Sequence, residues 1–289
     1  LSIQDAREKL EFAEAHPDIF DPVKVLDKGF VRLVDWYGTD SRIAEAARVS
    51  YKGGTKAVRN DAGLVDYLIR HSHTSPVEQV GVTFHIKAPI FVARQLFRHR
   101  TSSINEISAR YSVVEEEFYV PAKARAQDSV NKQGSVFDER LSSPKMKAIV
   151  EEVDNISYSA YKSLLKEGVA REMARIVLPV NLYTEFYWNQ NLHNLLHLIR
   201  LRVDEHAQWE IRQYAEEMYL TAKILFPGAV SSWENHTKNS VKLSGHEVEM
   251  LHETLTPDIL EALLETVEKS DLPSGIKRET SEKFKALVK

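Results

Sequence analysis

The sequence predicts an α+β fold, with helices packed around a central, mostly antiparallel β-sheet. Stretches with helical spacing outnumber stretches with strand alternation, and the two do not alternate regularly as a parallel βαβ fold requires. No G-x-G-x-x-G turn follows a strand, so the usual dinucleotide-binding fold is not supported. Nor do the 289 residues contain an internal repeat or a composition break that marks a boundary, and 1–289 reads as a single domain.

Residues up to Ala15 are charged and helix-like. Val23 to Trp36 is rich in β-formers and reads as a strand or hairpin broken at Gly29. Asp40 to Val49 opens on cap-type residues and spaces Ile43, Ala46 and Ala47 along one helical face. Gly53-Gly54 is too short for a phosphate loop and reads as a turn. A helix from Asp61 to His71 turns Leu64, Leu68 and Ile69 inward. Gln79 to Ile86 alternates Val80, Val82, Phe84 and Ile86, the period of a half-buried strand. Pro89 suits the first turn of the helix that follows, through Phe97.

After the polar stretch from Arg98 to Tyr111 comes a charged, low-apolar region near 122–143, expected to be a mobile surface insertion. Lys145 to Glu167 and Val169 to Val177 read as helices, the second stopped before Pro179, and Leu182 to Trp188 as a strand. Helices from Leu192 to Leu201 and Ala207 to Leu225 follow, the latter ended by Pro227-Gly228. A helical C-terminal extension from about residue 234 gives two or three short amphipathic helices around Pro257 and Pro273.

The net charge of −4 provides no global basic field for nucleic acid, so an anionic ligand needs a local cluster. No run of eighteen apolar residues and no signal-peptide pattern is present, and the expected location is cytoplasmic. Cysteine is absent, which closes disulfide, thiolate-zinc and thiol-nucleophile chemistry together.

The local cluster is RHRTSSINEISARY. Arg98, His99, Arg100 and Arg110 lie close together, with Ser102, Ser103, Asn105, Glu106 and Ser108 between them. Guanidinium forks match phosphate oxygens, while amide and carboxylate groups discriminate a base or a ribose. A solvated loop of ordinary surface ion pairs has the same composition, and the residues alone leave both readings open.

This stretch resembles the signature RHRxxSxNExSxRY of the flavin-dependent thymidylate synthases, and all nine specified positions match. HSHTSPVEQVGVTFHIKAPIFVARQLFRHR, with His73, Ser75, Pro76 and Gln95, resembles the family's approach to the loop. AREMARIVLPVNLYTEFYW and LRVDEHAQWEI resemble its later blocks, and the resemblance spans roughly Val31 to Phe226.

The resemblance implies reductive methylation of dUMP to dTMP. Methylenetetrahydrofolate donates the carbon, FAD the hydride, and NADPH recharges the flavin. It also implies a homotetramer with sites shared between subunits. The unrelated cysteine-dependent thymidylate synthases add a thiolate to uracil, a route this cysteine-free chain cannot take. Arg202, before D-x-H-A-Q-W, takes the family's catalytic position, polarising the pyrimidine ring so that C5 becomes nucleophilic. The dUMP positions carried over are Gln95, Leu96, Phe97, Arg98, Glu106, Ile107, Ser108, Ala109, Arg110, Arg175 and Arg202. Those for FAD are Ser75, Arg98, His99, Arg100, Glu106, Asn191, Leu192, His193 and His197, with His73 and His206 as secondary candidates. Some family members carry arginine and asparagine where this chain has His193 and His197, so a fixed positive charge is lost here at neutral pH.

Two other classes compete. His193 and His197, four apart on one helical face, could bind zinc with His206 in a metalloenzyme; no H-E-x-x-H is present, and the expectation is no metal. Basic residues with Phe91, Phe97, Tyr111, Phe118 and Tyr119 nearby, whose rings could stack on bases, allow instead a non-catalytic nucleotide- or RNA-binding protein. Uptake of FAD by the purified protein separates these classes from the enzyme.

Overall fold

The computed structural model describes residues 3–49, 61–132 and 134–287, with side chains from residue 9 onward; the expected turn at Gly53-Gly54 lies outside them. The strands are β1 (Val23–Val25), β2 (Gly29–Tyr37), β3 (Gly81–Pro89), β4 (Ser103–Glu106), β5 (Arg125–Gln127), β6 (Ser135–Phe137) and β7 (Tyr183–Asn191). Five of them form one sheet in the order β1-β2-β3-β7-β4, antiparallel at every pairing, as expected for the α+β class.

The chain divides into two units. The first, up to Lys238, holds the sheet. Its helices are α1 (Ile3–Ala15), α2 (Asp40–Arg48), α3 (Asp61–Arg70), α4 (Thr74–Val77), α5 (Ile90–Leu96), α6 (Ser143–Lys166), α7 (Arg171–Ala174), α8 (Leu192–Arg202), α9 (Trp209–Leu225) and α10 (Pro227–Trp233). The second, from Asn239, consists of α11 (Gly245–Thr254), α12 (Pro257–Lys269) and α13 (Ser274–Ala286), with α12 against α13. A capping box between Ser244 and Glu247 starts α11, and Thr256 caps α12.

Strand alternation sets the core. Val82, Phe84 and Ile86 of β3 are buried beside Val31 and Leu33 of β2 and Phe186 and Trp188 of β7. Leu195, Leu198 and Ile199 of α8 and Ile211, Tyr214 and Met218 of α9 complete this cluster. A smaller one gathers Phe118, Tyr158, Tyr161, Ala174 and Leu182 beneath α6. The sheet's other face is charged: Arg32 meets His85 Nδ1 at 3.0 Å, and His85 Nε2 meets Glu185 at 3.0 Å.

Several boundaries differ from expectation for identifiable reasons. The hairpin turns at Leu26–Lys28, with Leu26 at φ 60°, and Gly29 is the first residue of β2. Glycine is required there because a Cβ would lie 2.1 Å from the Tyr214 hydroxyl and 2.6 Å from the Lys87 carbonyl oxygen. Pro89 closes β3 opposite Tyr183 instead of entering α5, which begins at Ile90. Ser142 caps α6 through its hydroxyl, which accepts from the Lys145 amide, and Pro144 lies in the first turn. Val169 to Val177 is not one helix but α7 followed by a 3-10 turn from Arg175. Pro227-Gly228 both ends α9 and starts α10, whose first amides donate to the Asp40 carboxylate from across the fold at 2.6 and 3.0 Å. The 122–143 region contains the β5–β6 ladder.

Candidate active site

The middle of the nine-position motif folds as the sheet's edge strand β4, with Arg98 to Arg100 before it and Ser108 to Tyr111 after it. After α5, His99 turns inward, and β4 pairs with β7 so that Ser103 faces Asn189 and Glu106 faces Phe186. The ladder extends one step, the Ile107 amide donating to the Glu185 carbonyl at 2.9 Å. Thr184, buried on β7, donates to Glu106 Oε1 at 2.7 Å and fixes that carboxylate. Sequence reading left Arg98 to Tyr111 as a polar loop, since all four residues of β4 are exposed and carry no apolar alternation.

Arg202 is at the C-terminal end of α8, directly over the motif. Its Nε–H donates to His99 Nε2 at 3.0 Å, a contact across more than a hundred residues of sequence. A protonated imidazole cannot accept that bond, so His99 is held neutral. Burial first, then the Arg202 charge and His197, push its pKa down to about 4 from 6.5. Burial and the Arg98 charge likewise lower the pKa of Arg202. With Nε engaged, the two terminal nitrogens of Arg202 remain available for a ligand.

The His99 shift has a consequence for stability. The unfolded chain binds this proton near pH 6.5 and the folded chain only near 4, so between those values unfolding takes up protons. Stability therefore falls as pH drops through that window. Urea midpoints from pH 6.5 to 4 should decline more steeply for the wild-type chain than for His99→Gln; equal slopes would refute the assignment.

Several of the remaining positions line one of three cavities. One of about 370 Å³ is lined by Glu106, Ile107, Ala109 and Arg175. A second, about 230 Å³, lies between His73 on one side and His193, His197 and Arg200 on the other. The third, about 700 Å³, takes Ser75 and again His73. Partial burial, then the Arg200 charge and His193, lowers the pKa of His197, which favours its neutral form.

Not every candidate offers a side chain. Leu96 and Leu192 are fully buried and can present only main-chain groups, while the partly buried Phe97 ring packs edge-on against Phe186 at 4.9 Å. Asn191 caps α8: its Oδ1 accepts from the Asn194 amide at 3.0 Å, leaving Nδ2 to donate. Ser108 Oγ accepts from the Arg110 amide at 3.3 Å, a local hydroxyl turn. Arg110 pairs with Glu172 at 3.4 Å, while Arg171 donates to the Tyr111 carbonyl at 3.1 Å and so holds the loop's end. His206 is exposed and bonded to Asp204 at 2.8 Å, which raises its pKa. Among the described residues no three His, Asp or Glu side chains are grouped to hold a metal ion, so His206 does not complete a zinc site with His193 and His197.

Sequence reading missed Thr184 and Gln208. Both lie in the matched blocks, yet only tertiary contact reveals their partners, Glu106 and Gln95.

An arginine cluster beside the sheet edge, with the partly buried Arg202 bonded into it, defines a site suited to an anionic ligand such as a nucleotide. Residues 32–228 match the family model described as "Thymidylate synthase complementing protein", close to the Val31 to Phe226 span expected. A flavin-dependent thymidylate synthase of Thermus thermophilus is 54% identical over 248 residues, 85% of this chain and 90% of that one. One from Treponema denticola is 53% identical over 233 residues, 79% and 87% of the two chains. The structure of a UMP/dUMP methylase, PolB from Streptomyces cacaoi bound with 5-Br UMP, superposes with a TM-score of 0.67 at 34% identity, over 75% of this chain and 98% of that one. The chain belongs to the flavin-dependent thymidylate synthase family.

Proposed function

We propose that this protein makes dTMP from dUMP, with methylenetetrahydrofolate as carbon donor, and that the Arg98–Arg110 edge and Arg202 are its active site. The observation that carries this reading is the bond from Arg202 Nε to neutral His99, which aims two free guanidinium N–H groups over the signature motif. Hydrogen bonds from these groups to the uracil carbonyl oxygen O2, beside N3, stabilise negative charge on the ring and make C5 the nucleophile toward the folate methylene carbon. Glu106, Ser108, Arg110 and Arg175 bind and orient the nucleotide around the 370 Å³ cavity and its rim.

The donor set fits FAD. Among the described residues no side chain pairs with the exposed guanidinium groups of Arg98, Arg100 and Arg175, which suits a diphosphate. Asn191 Nδ2, Ser75, His193 and His197 add hydrogen-bonding groups. When bound, FAD supplies the hydride that reduces the transferred carbon to a methyl group, and NADPH replenishes it. Ser75 opens on a different cavity from Glu106 and Arg175, which supports completion of each site by further copies of the chain in a homotetramer. Exposed apolar Ile107, Tyr111, Met173 and Ile176 beside the motif support the same assembly.

Anaerobic incubation with dUMP, methylenetetrahydrofolate, FAD and NADPH tests the proposal by assay of dTMP. Absence of dTMP from flavin-loaded protein would overturn it. Failure to take up FAD at all would turn the reading toward a non-catalytic nucleotide binder.

A further inference from the structure

Behind Gln95 lies a buried polar chain that no step of the proposed reaction uses. Glu210, in the first turn of α9, is 2% exposed. Its Oε1 accepts from the Tyr119 hydroxyl at 3.1 Å and pairs with Arg125 of β5. Its Oε2 accepts from Gln208 Nε2 at 2.9 Å. The Arg125 guanidinium also covers the Trp209 ring at 5.2 Å, closing the far side. On the near side Gln208 Oε1 accepts from Gln95 Nε2.

The polarity of this chain follows from its end. A carboxylate only accepts, so Gln208 must turn its NH₂ group toward Glu210 and its carbonyl oxygen toward Gln95. Facing that oxygen, Gln95 must donate, and its own Oε1 is left pointing the other way. Amide ends exchange by a rotation that a lone surface glutamine makes freely; here the buried anion fixes both glutamines through hydrogen bonds that would otherwise be acceptor against acceptor.

We infer that Glu210 and Gln208 are positioning residues that present the Gln95 carbonyl oxygen as an acceptor to a hydrogen-bond donor of the nucleoside. This rests on the reading of Gln95 as a dUMP-binding residue. The phosphate dianion offers no donor, so Gln95 reads the imide N3–H or the sugar hydroxyl. The β5 strand, through Arg125, becomes part of substrate recognition.

The test is dUMP binding to flavin-loaded protein by calorimetry, with kcat and KM measured alongside. Gln208→Met removes the relay, and the Gln208 side chain makes no cap bond to α9, so the helix start is unaffected. It should raise Kd and KM for dUMP about three- to tenfold, the size of one neutral hydrogen bond, with kcat and FAD content little changed. Gln95→Met, which removes the acceptor itself, should weaken dUMP binding by a similar factor, and the double variant should bind dUMP no worse than either single one. Additive losses, or an unchanged Kd in Gln208→Met, would overturn the inference alone. An unchanged Kd in Gln95→Met would overturn the assignment of Gln95 and the inference with it. With 2′,3′-dideoxy-UMP, persistence of the Gln95→Met loss assigns the acceptor to the imide, and its disappearance to the sugar hydroxyl. Should Gln208→Met fail to fold, Gln208→Asn, with the same polar ends and shorter reach, gives the same comparison.

Discussion

Arg202→Ala is expected to lower kcat for dTMP formation about 10²- to 10³-fold, the loss seen when one charge-stabilising donor is removed from a desolvated site. FAD should remain bound. The reason is the division of labour around His99: Arg202 Nε contacts the imidazole, while Arg98 and Arg100, on either side of it in the chain, are left for the phosphates. Arg202→Lys should recover little, because an ammonium on a flexible stem cannot both donate to His99 and place two N–H groups in a plane on the pyrimidine. Flavin absorbance and single-turnover dTMP formation separate the two roles. Loss of the flavin in Arg202→Ala would mean that this arginine anchors the cofactor. A kcat within tenfold of wild type would remove it from the chemistry.

How much of this site was legible in the sequence depends on the range of the interaction. The nine-position signature and Arg202 were visible because family spacing is a one-dimensional pattern. The antiparallel class was readable from Val82, Phe84 and Ile86, whose alternation a half-buried strand imposes. Edge strand β4 was not, since its pairing with β7 satisfies backbone groups while all four side chains stay in solvent. The β5–β6 ladder was hidden for the same reason: its composition is polar, and Arg125 is held by a partner 85 residues away. Pro227-Gly228 signals both a stop and a start, and the amides of the new helix are satisfied by Asp40, which no local pattern around residue 227 could reveal. Of the expected dUMP and FAD contacts, Leu96 and Leu192 were carried by resemblance, and their burial shows that only their backbone is available.

Glu210→Ala is expected to be the most destabilising single change in the buried polar chain, at about 3–5 kcal/mol, because it strands a charge instead of removing a contact. The Arg125 side chain is only 14% exposed and would lose its counter-ion, while Tyr119 and Gln208 would each lose an acceptor. Taking both charges away is a different experiment. Arg125→Met combined with Glu210→Met leaves no unpaired ion and fills the volume, so it should cost markedly less than Glu210→Ala alone. Urea unfolding of the three proteins gives the comparison, and a double variant as unstable as Glu210→Ala would show that hydrogen bonding rather than stranded charge dominates. The same asymmetry dictates where substrate recognition can be probed. Substitution at Glu210 changes the stability of the fold and the orientation of Gln95 together. Gln208 is neutral and carries only the orientation.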